Sequence, residues 1–328
     1  MVIERMNDLH NAQGAPLVTI VMAVYHPRED WLSEQLISLN RQTYPNLELV
    51  ICDDGPDCPV DPELFQGHIT KFSWRLVSNE INMGSNKTFE RLTAMASGKY
   101  IAYCDQDDIW EENKIELLVK RLEETGAELC CSDLSIIDEN GKFIADSITK
   151  VRKRHVFREG ANLASKLIVN NFVTGCAMVM KTDTAKAAIP FEEYMVHDHW
   201  LALFSALKGE IAFLPTSTVK YRQHGANQTS MLAGVNTKED YYRLRIELLY
   251  KRICSLQNRI GDDKEFNGTI KHVSSWVTAR QKYFNHPNIE NAKEIWKYRE
   301  FGKAPSLFEI SIPFIPKALF SRVIQFLR

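Results

Sequence analysis

The first half of the chain alternates nearly continuous apolar runs with stretches in which apolar residues recur every three or four positions. Residues 16–25 (PLVTIVMAVY) read as a parallel strand covered on both faces. His26-Pro27 breaks that run, and Leu32, Leu36 and Leu39 follow at helical spacing. Residues 47–52 (LELVIC) form a second buried strand, 74–77 a short third and 99–104 (KYIAYC) a fourth. The spacing predicts a helix over 86–97, with Phe89, Leu92 and Met95 on one face and Gly98 as its stop, and another over 112–125. From Glu128 the pattern is mixed: a strand to Asp133, a turn at Glu139-Asn140-Gly141, and a basic run from Lys150 to His155. A strand at 175–180, a helix at 199–207 and strands at 211–214 and 217–222 come next. Beyond Thr237 the reading is helical, over 241–259, 270–284 and 289–298.

Strands alternating with helices predict an α/β fold with a mostly parallel central sheet, whose ligands collect at the carboxyl ends of the strands. The expected organisation is an N-terminal extension over 1–15, a sheet domain over 16–230 and a C-terminal helical region over 231–328. At 328 residues, with 45% hydrophobic and 25% charged positions, this is an ordinary folded composition. A net charge of -2 gives no reason to expect a nucleic-acid partner. Seven cysteines, at 52, 58, 104, 130, 131, 176 and 254, lack the pairing of a secreted scaffold. Cys130 and Cys131 read as buried small side chains rather than a redox pair. The start, Met1-Val2-Ile3-Glu4, is not that of a signal peptide, and no apolar run is long enough to span a bilayer. The expected setting is therefore cytoplasmic, with the inner face of the cell membrane as an alternative. At the other end, Leu319, Phe320, Val323, Ile324 and Leu327 recur on one helical face beside Lys317, Arg322 and Arg328. That face suits an anionic membrane surface, or packing against the protein or across a homodimer.

Two acidic groups stand at strand ends: Asp53-Asp54-Gly55-Pro56 and Asp105-Gln106-Asp107-Asp108. Carboxylates so placed can hold a hard divalent cation that bridges diphosphate oxygens, although acidic loops also serve as turns and helix caps. His197-Asp198-His199-Trp200 opens a helix, and a single carboxylate there can take a proton from an acceptor hydroxyl, or cap the helix. The stretch after the first strand, Tyr25-His26-Pro27-Arg28, has no glycine, which excludes a dinucleotide-dependent oxidoreductase.

Taken in order, 19–25, Cys52-Asp53-Asp54-Gly55, Asn79 to Asn86, Gly98 to Asp108, His197 to Trp200 and Tyr221 to Gln228 resemble the family-2 inverting glycosyltransferases of GT-A fold, and among them the bacterial rhamnosyltransferase-like enzymes. The resemblance covers residues 16–230 and implies a nucleotide-sugar donor, dTDP-rhamnose or a UDP-hexose, and a saccharide or lipid-linked saccharide acceptor in surface polysaccharide synthesis. It implies Asp53, Asp54, Asn79, Gly84, Asn86 and Asp105 on the donor, with Arg222 on its diphosphate. It further implies Asp107 and His224 on the metal, and Asp198 as the base. An imidazole among the ligands favours Mn²⁺ over Mg²⁺. Pro56 and His197 depart from the commoner serine and glutamate of the family. A non-catalytic saccharide-binding or scaffolding protein on the same fold is the rival reading.

Overall fold

The structure is a computed structural model, and it describes residues 2–5, 14–225, 232, 234–260 and 264–327. The chain divides into two compact units, one of residues 1–167 and 171–225, the other of 168–170 and 226–328. Residues 226–231, where the sequence places its boundary at 230, lie outside the described residues, as do Ala226, Asn227 and Gln228 of the closing segment.

The first unit is a ten-stranded sheet: β1 (Val2–Arg5), β2 (Val18–Val24), β3 (Leu47–Asp53), β4 (Ser73–Ser78), β5 (Tyr100–Cys104), β6 (Ile109–Trp110), β7 (Leu129–Ile137), β8 (Phe143–Ala145), β9 (Met178–Lys181) and β10 (Ile211–Arg222). Its order is β1-β4-β3-β2-β5-β9-β7-β10-β6, with β8 on β7. The sheet is mixed, with its parallel strands in two groups. β4, β3, β2 and β5 run parallel, as do β7 and β10, whereas β9 runs against both β5 and β7 and so joins the two parallel halves. The expected N-terminal extension is corrected in part, because Val2–Arg5 pairs antiparallel with β4 and extends the sheet by an edge strand.

The helices of this unit are α1 (Glu29–Asn40), α2 (Pro62–His68), α3 (Gly84–Met95), α4 (Lys114–Thr125), α5 (Ile148–Val151), α6 (Ala164–Leu167), α7 (Thr182–Ala187) and α8 (His197–Lys208). The core between sheet and helices is built from the apolar runs. Ile20, Met22, Ile51 and Ala102 meet Leu32, Leu36, Leu39, Leu118 and Leu122, all within 1% of full burial. Each large side chain so placed contributes about 1.5–3 kcal/mol. Gly98 follows α3 but does not cap it, since the helix ends at Met95. A Cβ at Gly98 would stand 2.6 Å from the carbonyl oxygen of Leu17, so glycine is needed for the chain to pass β2.

In the second unit, α9 (Lys238–Tyr241) runs through a π-helical stretch at Tyr242–Glu247 into α10 (Leu248–Ile260). It continues with α11 (Lys264–Asn285), α12 (Ile289–Lys297), α13 (Lys303–Ser311) and α14 (Lys317–Leu327). Thr237 and Asp240 form a reciprocal cap at the start of α9. Val235, Tyr241, Ile246, Ile312, Phe320 and Ile324 share a buried cluster, and Glu309 is buried against Arg280 at 2.6 Å.

Candidate active site

The topology brings the candidate residues to one edge of the sheet. β2, β3, β4 and β5 are parallel, so Tyr25, Asp53-Asp54, Asn79 and Asp105 all follow strand ends on the same side. β9 is antiparallel to β5, which puts the turn before it, Gly175–Ala177, at that edge too. β10 runs parallel to β7 and delivers Arg222 and His224 there.

At the corner where the resemblance places the nucleoside, Asp53 accepts from the backbone N–H groups of Gly55 and Val60, both at 2.9 Å, and so folds its own loop. Asp54 accepts from Asn79 Nδ2 at 2.7 Å, Met83 N–H at 2.7 Å and Gly84 N–H at 2.8 Å. Asn79 also donates to Thr88 and accepts from Arg91. Gly84, at φ 77°, takes the left-handed conformation that turns its N–H toward Asp54. Asp53 and Asp54, each 3% exposed, therefore support the corner from below. The exposed group above it, unassigned in the sequence reading, is Tyr25, whose ring stacks on His26 at 4.1 Å. Gln106 bonds both the N–H and the carbonyl of Tyr25 and so ties this corner to the acidic loop.

In that loop, Asp107 Oδ2 lies 2.7 Å from His224 Nε2. Ligand atoms of Asp105, Asp108 and Cys176 lie within 4.8 Å of one another, a second convergence that the sequence did not indicate because Cys176 is distant in the chain. Asp105 is held well above the usual carboxylate range, by burial first and then by the charges of Asp108, Asp107 and Asp198. Asp108 is raised by burial and by Asp107, against bonds from the Arg222 N–H and the Cys176 thiol. Such a set of carboxylates fits a hard divalent cation, which would relieve the repulsion. The Cys176 thiol, pushed well above its ordinary value by burial, stays protonated and is the weaker ligand.

Among the described residues the buried ammonium at this edge is Lys114, whose Nζ donates to the Cys176 carbonyl and sits 3.0 Å from the Trp110 ring centroid. Burial lowers its pKa, and the facing carboxylates and thiols oppose that shift.

Arg222, expected on the donor diphosphate, is held within the protein. It is 1% exposed, with Nε donating to the Asp107 carbonyl at 2.8 Å and its guanidinium paired with Glu34. Its backbone N–H donates to Asp108 at 3.0 Å. The structure thus uses it to fix the acidic loop from beneath. Asn86 donates to the carbonyls of Glu192 and Met195, in the segment ahead of α8.

Asp198 sits in the first turn of α8, accepting from Asn171 Nδ2 and from Gly175 N–H, both at 3.1 Å. Burial pushes its carboxyl up to about 6 against those hydrogen bonds. Gly175, which holds it, is followed by Cys176, whose thiol converges with Asp105 and Asp108, so the base candidate stands beside the acidic loop. His197 is buried against Phe89 at 4.2 Å and lowered to about 3, a neutral packing residue, and His199 bonds the Leu167 carbonyl. Gly175 touches both halves: its N–H holds Asp198, while the next residue takes Lys114. A Cβ there would stand 2.8 Å from His197 Nε2 and 3.4 Å from Asp198 Cβ. Gly175→Ala is expected to lower turnover about tenfold or more by displacing Asp198. Donor affinity should change far less, which steady-state kinetics beside donor calorimetry will show.

This edge, with its carboxylate loop beside a helix-borne carboxylate, defines a glycosyltransferase of GT-A-like fold. Residues 19–186, just over half of the chain, match glycosyl transferase family 2, and the chain belongs to that family. An uncharacterized glycosyltransferase of Haemophilus influenzae is 27% identical over 263 residues, 76% of this chain and 77% of its own length. The dTDP-rhamnosyl transferase RfbG of Shigella flexneri is 26% identical over 80% of this chain and 95% of its own. The Escherichia coli UDP-Glc:alpha-D-GlcNAc-diphosphoundecaprenol beta-1,3-glucosyltransferase WfgD is 33% identical, over 39% of this chain and 51% of its own. Among solved structures, TarS 1-349 of S. aureus in complex with UDP-GlcNAc shares the fold, with a TM-score of 0.56 and 17% identity over 87% of this chain and 80% of that one.

Proposed function

We propose that this enzyme transfers one sugar, with inversion, from dTDP-rhamnose to a hydroxyl of a saccharide or lipid-linked saccharide in surface polysaccharide synthesis, with UDP-hexoses as the alternative donors. The observation that carries the reaction is Asp198, a partly buried carboxylate oriented by Asn171 and Gly175 and standing beside the acidic loop. Similarity to RfbG over nearly all of that protein's length supports the rhamnosyl donor, and the shorter match to WfgD supports a UDP-sugar and a lipid diphosphate acceptor.

Asp107 and His224 would hold Mn²⁺, or Mg²⁺, with Asp105 beside them. When bound, the cation supplies Lewis-acid stabilisation of charge on the departing nucleotide. Asp53, Asp54, Asn79 and Gly84 keep the nucleoside corner in shape, and Tyr25 offers the base an exposed ring. Asn86 and Arg222 act at one remove, holding the segment before Asp198 and the acidic loop. Asp198 takes the acceptor hydroxyl proton as the oxygen attacks from the face opposite the nucleotide.

The test is metal-dependent nucleotide release across dTDP-rhamnose, UDP-glucose, UDP-galactose and UDP-N-acetylhexosamines with Mn²⁺. Fastest release from dTDP-rhamnose is expected, and no release from any donor would reject the enzymatic reading. Inversion makes the β-L donor give an α-L-rhamnoside, read from the one-bond C–H coupling of the product. A retained configuration would remove the single displacement and the role given to Asp198.

A further inference from the structure

The C-terminal helix was expected to present a single apolar face, and α14 instead carries two apolar stripes. Phe320 and Ile324, each 1% exposed, belong to the buried cluster of the second unit. Leu319, Arg322, Val323 and Phe326 follow at i, i+3, i+4 and i+7, a second stripe along the helix. On it Leu319 is 46% and Phe326 90% exposed, and just upstream Phe314 is 82% exposed. Packing within the unit therefore accounts for the first stripe and leaves the second facing outward.

Along the chain that carries this second stripe the exposed charges have one sign. From Lys303 to Leu327 the exposed charged residues are Lys303, Lys317 and Arg322. The single acidic residue of that stretch, Glu309, is buried and held by Arg280 and the Tyr241 hydroxyl. Lys317 lies 3.7 Å from Glu239, but both side chains are largely exposed, and such pairs contribute little. Two phenylalanines at high exposure among lysine and arginine match an anionic bilayer interface, where the rings enter the headgroup boundary and the cations meet the phosphates. Among the described residues no helix is long and apolar enough to cross a membrane, so the contact is one of surface adsorption.

We infer that Phe314, Leu319, Arg322, Val323 and Phe326 form a docking surface for an anionic lipid bilayer. The inference stands on the second unit alone and is independent of the donor and the reaction proposed above.

Full-length protein is sedimented with vesicles of phosphatidylglycerol and phosphatidylcholine in equal parts, and with phosphatidylcholine alone. Binding to the anionic vesicles only is expected. Each basic residue at such a surface is worth about fivefold in partitioning, the equivalent of about 1 kcal/mol, so Lys317→Gln with Arg322→Gln should weaken binding about twenty-five-fold. Phe314→Ser with Phe326→Ser should weaken it about tenfold or more, with an unchanged melting temperature, because both rings are exposed already. Absence of wild-type binding to anionic vesicles would overturn the inference, as would binding that neither double variant alters. A wild-type dimer in sedimentation velocity that the phenylalanine variant splits, without any lipid binding, would assign the surface to a second copy of this chain instead.

Discussion

Replacing Asp198 by asparagine is expected to lower turnover by about 10² or more, the scale of losing a positioned general base, while donor affinity stays within a few-fold of wild type. Asparagine keeps the shape and can still accept one of the two hydrogen bonds, from Gly175 N–H or from Asn171 Nδ2. The other bond becomes a donor facing a donor, so stability should change by only about 1 kcal/mol. A pH profile separates loss of the base from loss of shape. With the carboxyl raised to about 6, the deprotonated form that can accept a proton predominates only above that pH. Turnover on limiting acceptor should therefore fall about tenfold per pH unit below the midpoint. A cation bound near Asp105 favours the ionised carboxylate and moves the midpoint down, so about 6 is its upper bound in the loaded enzyme. In the asparagine variant this acidic limb should vanish. Unchanged turnover at saturating acceptor would send the search for the base elsewhere.

The strands were legible because each is a nearly continuous apolar run, and burial on both faces leaves little choice about which residues enter the sheet. Predicted strands 47–52 and 99–104 differ from β3 and β5 by a single residue. The parallel pairing of β2, β3, β4 and β5 was legible as well, but the direction of β9 was not. An apolar run such as 175–180 gives no sign of whether it lies parallel to its neighbours, and β9 runs antiparallel between β5 and β7. Its first three residues are a 3-10 turn that the apolar pattern conceals. Short elements such as β6 and α5 are set by tertiary contacts and have no period to read.

At the candidate site, acidic residues after strands announce themselves, because a polar cluster ending an apolar run must lie at a sheet edge. What each of them touches depends on residues far away in the chain. Arg222 has the chemistry of a phosphate ligand and turns out to be enclosed by Glu34 and the Asp107 carbonyl. Lys114 and Cys176 meet at 62 positions' separation, and neither belongs to a recognisable motif. A lysine just inside a helix start reads as a solvated surface residue, and only the full burial of its ammonium shows otherwise.

Asp107→Ala should reduce sugar transfer by about 10³ or more, since several kcal/mol of charge stabilisation depend on a correctly held cation and each 1.4 kcal/mol is about tenfold in rate. The fold should survive. The Asp107 side chain is half-buried in a loop and bonds His224, whereas the bond that braces the loop runs from Arg222 to the Asp107 backbone carbonyl, which alanine retains. Mn²⁺ affinity by calorimetry should fall together with transfer, and wild-type transfer with unaltered affinity would sink the assignment. Cys176→Ser decides between the two places where ligands converge. If the cation sits on Asp107 and His224, a buried protonated thiol is a bystander and its replacement leaves Mn²⁺ affinity near wild type. If the cation instead sits among Asp105, Asp108 and Cys176, exchanging sulfur for oxygen should weaken the preference for soft Cd²⁺ over Mn²⁺, and Asp107→Ala should then cost little affinity. His224→Gln completes the distinction: losing the imidazole from the first arrangement should narrow the preference for Mn²⁺ over Mg²⁺, whereas the second arrangement predicts little change, because the atoms that converge there belong to Asp105, Asp108 and Cys176.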